Sequence, residues 1–213
     1  MHAPDVFYVD GVDEPDCVSS YLIHDGVDER GPIAELCSVC PYDSYESPVD
    51  FFVKGFDDLE KIEENCHAFI PPGPPFVFHE KFTDLLVESL SGVVAVRVGY
   101  KDWNQKALER PLWFIKRPRL AALHVQAVCQ RARDPDGNEF PRCSICGRMR
   151  IRWYEVSDRI ADIQLHLGSW PGTDIFLVEG GHQGCGVFVT SVGIRKLQSL
   201  GFWTIRTRQV EWY

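Results

Sequence analysis

The sequence predicts an α+β fold built from two diverged helix-plus-strand halves, residues 1–120 and 121–213, joined by a split four-cysteine zinc site. Three observations predict it. Two Cys-x-x-Cys pairs, Cys37/Cys40 and Cys143/Cys146, lie roughly 100 residues apart. Short apolar runs of strand character alternate with amphipathic segments of helical spacing. The order of these parts recurs: a cysteine pair, an Asp-led apolar strand, a Gly/Pro loop containing a cysteine, a Val-Phe pair, a helix, a Ser/Gly stop and a strand. Val77-Phe78 matches Val187-Phe188 in this order, and the stop after Leu90 matches the one after Leu200. The halves stand as two units or merge into one integrated domain, since 213 residues suit either.

The elements follow in chain order. Val6 to Val9 reads as a strand, and Asp10-Gly11 and Asp25-Gly26 as turns. Asp50 to Val53 reads as a second strand. Ile70-Pro-Pro-Gly-Pro-Pro75 excludes helix and central strand, because proline lacks the amide donor and fixes φ. Phe82, Leu85, Leu86 and Leu90 fall at helical spacing, and Ser91-Gly92 ends that helix. Val93 to Val98 is a buried strand. Arg131 to Gly137 is a polar turn region. Ile151 to Val156 is a strand, and Ser157 caps a short helix carrying Ile160, Ile163 and Leu167 on one face. Asp174 to Val178 is a strand, Gly180 to Gly186 a glycine-rich loop, Ser191 to Leu200 a helix, and Phe202 to Arg206 the closing strand.

Composition excludes several classes of function. A net charge of −9 repels phosphate backbones, so the chain is not expected to bind nucleic acid, and a basic partner suits it better. No leader pattern opens the sequence and no apolar run reaches the ~18–20 residues of a span, so a cytoplasmic chain without a membrane partner is expected. In the cytoplasm, the eight cysteines point to thiols and metal ligands over disulfides.

A structural zinc takes four ligands in a tetrahedron, and each Cys-x-x-Cys turn offers one edge of it. The expected metal ligands are therefore Cys37, Cys40, Cys143 and Cys146. Incomplete sites that recruit Cys66, His67, His182 or Cys185 remain alternatives, as does dithiol redox chemistry, although neither pair sits in a thioredoxin-like pattern. A closed four-thiolate site leaves no open position for water, so zinc is structural here and no catalytic residue is assigned. Zinc deaminases need His-x-Glu before Pro-Cys-x-x-Cys, and Pro141-Arg-Cys143 is one residue out of register. His79-Glu80 lacks the second histidine of a metalloprotease helix.

Other candidates have bland readings beside their functional ones. Gly180 to Gly186, with His182 and Cys185, reads as an anion-binding loop, a thiol nucleophile or a plain turn between strands, the last favoured. Cys17, Cys66 and Cys129 read as small buried hydrophobes. The basic, aromatic stretch from Lys101 to Arg119, with Trp103 and Trp113, is a candidate partner surface or an ordinary mixture of core and solvated residues. The acidic residues Asp10, Asp13, Glu14, Asp16, Asp25, Asp28 and Glu29 form a face for a basic partner or a solvated surface.

The two spaced pairs, the second followed by Gly147, resemble those of the double-CXXCG motif proteins of myxobacteria, which include immunity proteins of the Sit toxin-exchange system. The ending is similar too: Trp170-Pro-Gly-Thr-Asp174-Ile-Phe, Val187-Phe-Val-Thr190 and Leu197-Gln-Ser-Leu-Gly201-Phe. The first pair is followed by Pro41 in place of glycine. The resemblance implies a cytoplasmic, zinc-stabilised antitoxin that binds one cognate protein toxin and blocks it without catalysis. Toxins that attack nucleic acids are often basic, and an acidic inhibitor is steered toward them. The alternative is a zinc-containing interaction adaptor with no toxin partner.

Overall fold

The structure is a computed structural model that describes residues 3–12, 21–24, 51–54, 76–101, 120–151, 157–182, 185–201 and 205–213. Strands dominate it. The first sheet has five strands: β2 (Tyr21–His24), β3 (Phe51–Lys54), β5 (Val93–Lys101), β6 (Leu120–Val125) and β4 (Phe76–His79), in that spatial order. The second has seven: β7 (Val128–Cys129), β10 (Ile175–His182), β11 (Cys185–Thr190), β1 (Val6–Val12), β12 (Ile205–Trp212), β9 (Gln164–Leu165) and β8 (Ala132–Arg133). Its edge strands β7 and β8 are consecutive in the chain, with Gln130 and Arg131 between them, so the sheet comes round into a nearly closed barrel.

The expectation of helix-plus-strand halves is overturned. Two α-helices occur among the described residues, α1 (Glu80–Ser89) and α2 (Ser191–Ser199), against twelve strands. The expected helix after Ser157 is two 3₁₀ turns, Ser157–Asp162 and Leu167–Ser169, with β9 between them. The apolar spacing there serves a barrel wall, because Ile160, Ile163 and Leu165 all enter its interior. The closing strand runs on to Trp212. Residues 152–156 of the strand expected after Ile151 lie outside the described residues.

What the two sheets share is a strand order. In the first, β2 is antiparallel to β3, β3 parallel to β5, β5 antiparallel to β6 and β6 antiparallel to β4. In the second, β8, β9, β12, β1 and β11 repeat those four relations in turn. A helix links β4 to β5, and another links β11 to β12. In each case an antiparallel strand, β6 or β1, is inserted between the two strands the helix connects.

Alternation along the central strands builds two cores, because successive side chains point to opposite faces. Val6 and Tyr8 of β1, Phe176 and Val178 of β10, and Phe188 of β11 fill the barrel. Phe7, Val9, Ile175, Leu177, Val187 and Val189 face outward into a second core. That core also holds Leu86 and Leu90 from α1 and its end, Val93 of β5, Leu123 and Val125 of β6, and Leu197 of α2, so it joins the two sheets. Inside the barrel, Phe176 stacks between Phe188 and Trp212, and Trp212 meets Trp170. Each fully buried phenylalanine contributes about 1.5–3 kcal/mol of apolar burial.

A polar clasp completes the junction between the sheets. Asp174 Oδ2 accepts from Ser91 N at 2.8 Å, Ser91 Oγ at 2.8 Å and Lys196 Nζ at 2.7 Å. Gly92 sits at φ 94°, and a Cβ there would lie 2.1 Å from the Ile175 carbonyl oxygen. The Ser-Gly stop of α1 therefore seats the helix unit on β10 as well as ending it. Thr190 caps α2 by accepting from the Gly193 amide at 3.1 Å. Among the described residues, no helix is long and apolar enough to cross a membrane.

Candidate metal knuckle

The second cysteine pair lies at the tip of a hairpin that closes one side of the barrel. Phe140, Met149 and Ile151 at its base are buried in the barrel core. Arg142 and Met149 form an isolated antiparallel bridge. The Arg150 amide donates to the Pro141 carbonyl and the Cys143 amide to the Arg148 carbonyl, both at 2.8 Å. The chain reverses through Ser144 to Cys146. The Gly147 amide closes the turn by donating to the Cys143 carbonyl at 2.9 Å. Gly147 has φ 73°, a left-handed conformation that glycine adopts without a Cβ penalty.

The turn also prepares a sulfur. The Ile145 amide donates to Cys143 Sγ at 3.4 Å. The thiolate is the form of cysteine that ligates a metal. Cys143 is buried, Cys146 is half-buried, and Ile145 at the tip is 62% exposed. The arrangement fits one edge of a tetrahedral thiolate site. Cys143 and Cys146 would hold one edge of the ion, which would supply a cross-link to whatever completes its coordination.

The other two expected ligands, Cys37 and Cys40, lie outside the described residues. Among the described residues, no group of three or more His, Cys, Asp or Glu side chains converges. Cys66 and His67 also fall outside, as do Cys17, residues 102–119 with Trp103 and Trp113, and Asp13, Glu14, Asp16, Asp25, Asp28 and Glu29, while Asp10 lies in β1. His182 and Cys185 pair across the mouth of the β10–β11 hairpin. The glycine-rich segment is thus the connection between two strands, in line with its plain reading.

Cys129 is fully buried in the barrel core, as its reading as a small hydrophobe requires. Burial pushes its thiol above the usual range, against hydrogen bonds from its surroundings that act the other way. Its Sγ lies 3.2 Å from Ser169 Oγ and 3.5 Å from the Arg131 carbonyl oxygen. A thiol held protonated makes a poor nucleophile. His124 is buried in β6, neither ring nitrogen has a hydrogen-bond partner among the described residues, and burial holds its pKa below the ordinary value.

Sequence reasoning missed one side chain that matters at the knuckle. Arg142 Nη1 donates to the Gly147 carbonyl at 2.8 Å and to Glu179 Oε2 at 2.9 Å, and its Nη2 donates to the Gln130 carbonyl at 2.7 Å. Gly147 marked the turn in advance, but no local pattern links Arg142 to Glu179 on β10. No protein-family model matches the chain, and no curated protein matches it.

Proposed function

We propose that the chain is an immunity protein of the antitoxin type, which neutralises a cognate basic protein toxin by covering it, on a scaffold fastened by structural zinc. The observation that carries the reading is the 141–150 hairpin: a closed turn, a sulfur accepting an amide, and a left-handed glycine after the second cysteine. These are the features of a structural thiolate knuckle, and they accord with the resemblance to the double-CXXCG proteins. The barrel interior is filled by Phe176, Phe188, Ile163 and Leu165, so a partner is met on the outer surface. The charge of −9 favours a basic protein over nucleic acid or an anionic lipid surface. The protein acts in the cytoplasm, where its thiols stay reduced, and it acts by binding, without catalysis.

The test has two stages. Metal content of the native protein is measured beside Cys143→Ser, with one zinc per chain expected in the first and loss of zinc in the second. The purified protein is then titrated against the toxin encoded beside it. Stoichiometric binding that weakens with salt supports the reading. Zinc without toxin binding, with a host protein captured through Trp103 or Trp113, favours the interaction adaptor instead.

A further inference from the structure

Two units of the molecule share a plan, and one of them is completed from outside itself. In the first sheet β4, α1 and β5 run in succession, and β6 inserts antiparallel between β4 and β5. In the barrel β11, α2 and β12 run in succession, and β1 inserts antiparallel between β11 and β12. The registers match end for end. The first residue of each insert pairs with the last residue before the helix, Leu120 with His79 and Val6 with Thr190. The last residue of each insert pairs with the first of the strand after the helix, Val125 with Val93 and Val12 with Ile205. Each helix is followed by a glycine of positive φ, Gly92 at 94° and Gly201 at 92°. β1 therefore takes in the barrel the place that β6 takes in its own sheet, but it comes from far away in the chain.

The cleft between β11 and β12 holds an extended segment by its backbone first. β1 pairs with Phe188, Val189 and Thr190 on one side and with β12 from Ile205 to Val210 on the other. Just before β1, the Ser191 amide donates to the Asp5 carbonyl at 2.8 Å, and Trp212 Nε1 donates to the Pro4 carbonyl at 2.7 Å. Side chains add to this: Val6 and Tyr8 enter the barrel core, and Phe7 and Val9 enter the core shared by the sheets. Ladder pairing with apolar side chains on alternate faces is how a sheet takes up an added strand. Every one of these contacts is the same whether β1 belongs to the same chain or to another. Connectivity favours the same chain only weakly. The entropy of closing a loop grows with its length, and Val6 and Val210 lie roughly 200 residues apart. The effective concentration that a tether supplies falls with its length, from the mM scale of short flexible linkers.

We propose that the β11–β12 cleft is a strand-acceptor site that takes β1 from a second copy of this chain, giving a reciprocal dimer in which each barrel is completed by the other chain's Val6–Val12 strand. Exchange of an identical element is a low-cost route to a dimer, because it creates the same contacts that it breaks. Each chain donates one strand and accepts one, so the assembly closes at two copies. The proposal stands apart from the metal and toxin readings and does not depend on either.

The full chain is refolded at about 1 mM and at about 1 μM under reducing conditions, and its mass is read by light scattering after dilution to one common concentration. A particle of twice the chain mass is expected from the concentrated sample, enriched about tenfold or more over the dilute one. It should persist after dilution, because release requires the barrel to unfold. The concentrated sample is then prepared from equal parts of isotope-labelled and unlabelled chain. Contacts of Val6 with Val210 and of Tyr8 with Arg208 are expected between labelled and unlabelled chains. A single chain mass at both concentrations overturns the proposal. So does a dimer that falls apart at once on dilution, or one whose Val6–Val210 contact lies within one label only. A variant then moves residues 1–12 behind Tyr213, through a linker as long as residues 102–119, so that β1 follows β12 as β6 follows β5. It is expected to stay monomeric at about 1 mM, and a persistent dimer there counts against exchange. Should that variant fail to fold, the contacts between labelled and unlabelled chains decide alone.

Discussion

The two sheets repeat one strand order but complete it differently. In the five-stranded sheet the inserted strand is β6, the next strand after β5 among the described residues. In the barrel it is β1, from the opposite end of the sequence. The inserted strands also differ in what they bury. β1 is apolar on both faces, with Val6 and Tyr8 inward and Phe7 and Val9 outward. β6 places Leu123 and Val125 in the shared core but carries the buried His124 between them. The same architecture can therefore be assembled from neighbours or across the whole chain, and the distant arrangement here is the one with the more apolar insert.

The largest expected effect comes from removing residues 1–12. β11 and β12 then lose the partner they share, and the barrel is expected not to form, with loss of near-ultraviolet circular dichroism from Trp170 and Trp212. A peptide of residues 1–12 added in trans should restore the signal. Persistence of the signal without β1 would break the comparison, since the barrel would not depend on its inserted strand.

Next in size is Phe188→Ala, which opens a cavity where Phe176 and Tyr8 meet Phe188. A loss of about 3–5 kcal/mol in denaturant unfolding is expected. An effect under 1 kcal/mol would show that the barrel core relaxes to fill the space.

The clasp between the sheets gives a smaller effect. Burial tends to raise the Asp174 pKa, but Lys196 and the two Ser91 donors together outweigh it and hold the carboxyl below its ordinary value of 3.8. Its stabilising contribution is therefore complete above that value and is lost as pH falls through the lower folded pKa. Asp174→Ala should cost about 1–3 kcal/mol at neutral pH, because it leaves the Ser91 amide without its acceptor. The variant should also flatten the stability profile in acid. An unchanged acid limb would assign that limb to other carboxylates.

The smallest effect tests the insert of the five-stranded sheet. His124 has its pKa lowered from 6.5 by burial, so the unfolded chain takes up the proton first as pH falls. Stability should be complete above about pH 6.5 and decline below it. His124→Leu should remove that slope and raise stability by roughly 1 kcal/mol, because two unpartnered nitrogens no longer lie buried. A destabilised variant would mean that His124 contributes a contact beyond its burial.

Local features of the fold were legible in the sequence. Phe82, Leu86 and Leu90 with the Ser91-Gly92 stop marked α1, although Leu85 proves 46% exposed. Asp174 to Val178 marked β10, and Ser191 to Leu200 marked α2. Gly147 after Cys146 marked the knuckle turn. Non-local features were not legible, and they decide the architecture. Nothing in Val6 to Val9 says that it pairs with residues near 190 and 210. Leu120-Ala-Ala-Leu123 has helix-forming composition, and its sheet neighbours override that weak preference. The spacing of Ile160 and Ile163 fits a helix, yet both side chains fill a barrel. Arg142 reaches Glu179 because the hairpin folds back beside β10, a proximity that only tertiary structure creates.

The pairing of Val6 with Val210 also constrains how the protein is made. On a ribosome, Val6 to Val9 emerges well before its partner β12. At ~5–20 residues per second, the roughly 200 residues between them take about 10–40 s to synthesise. For that interval an apolar Val-Phe-Tyr-Val segment waits without its final neighbours, a natural client for a chaperone that holds nascent chains.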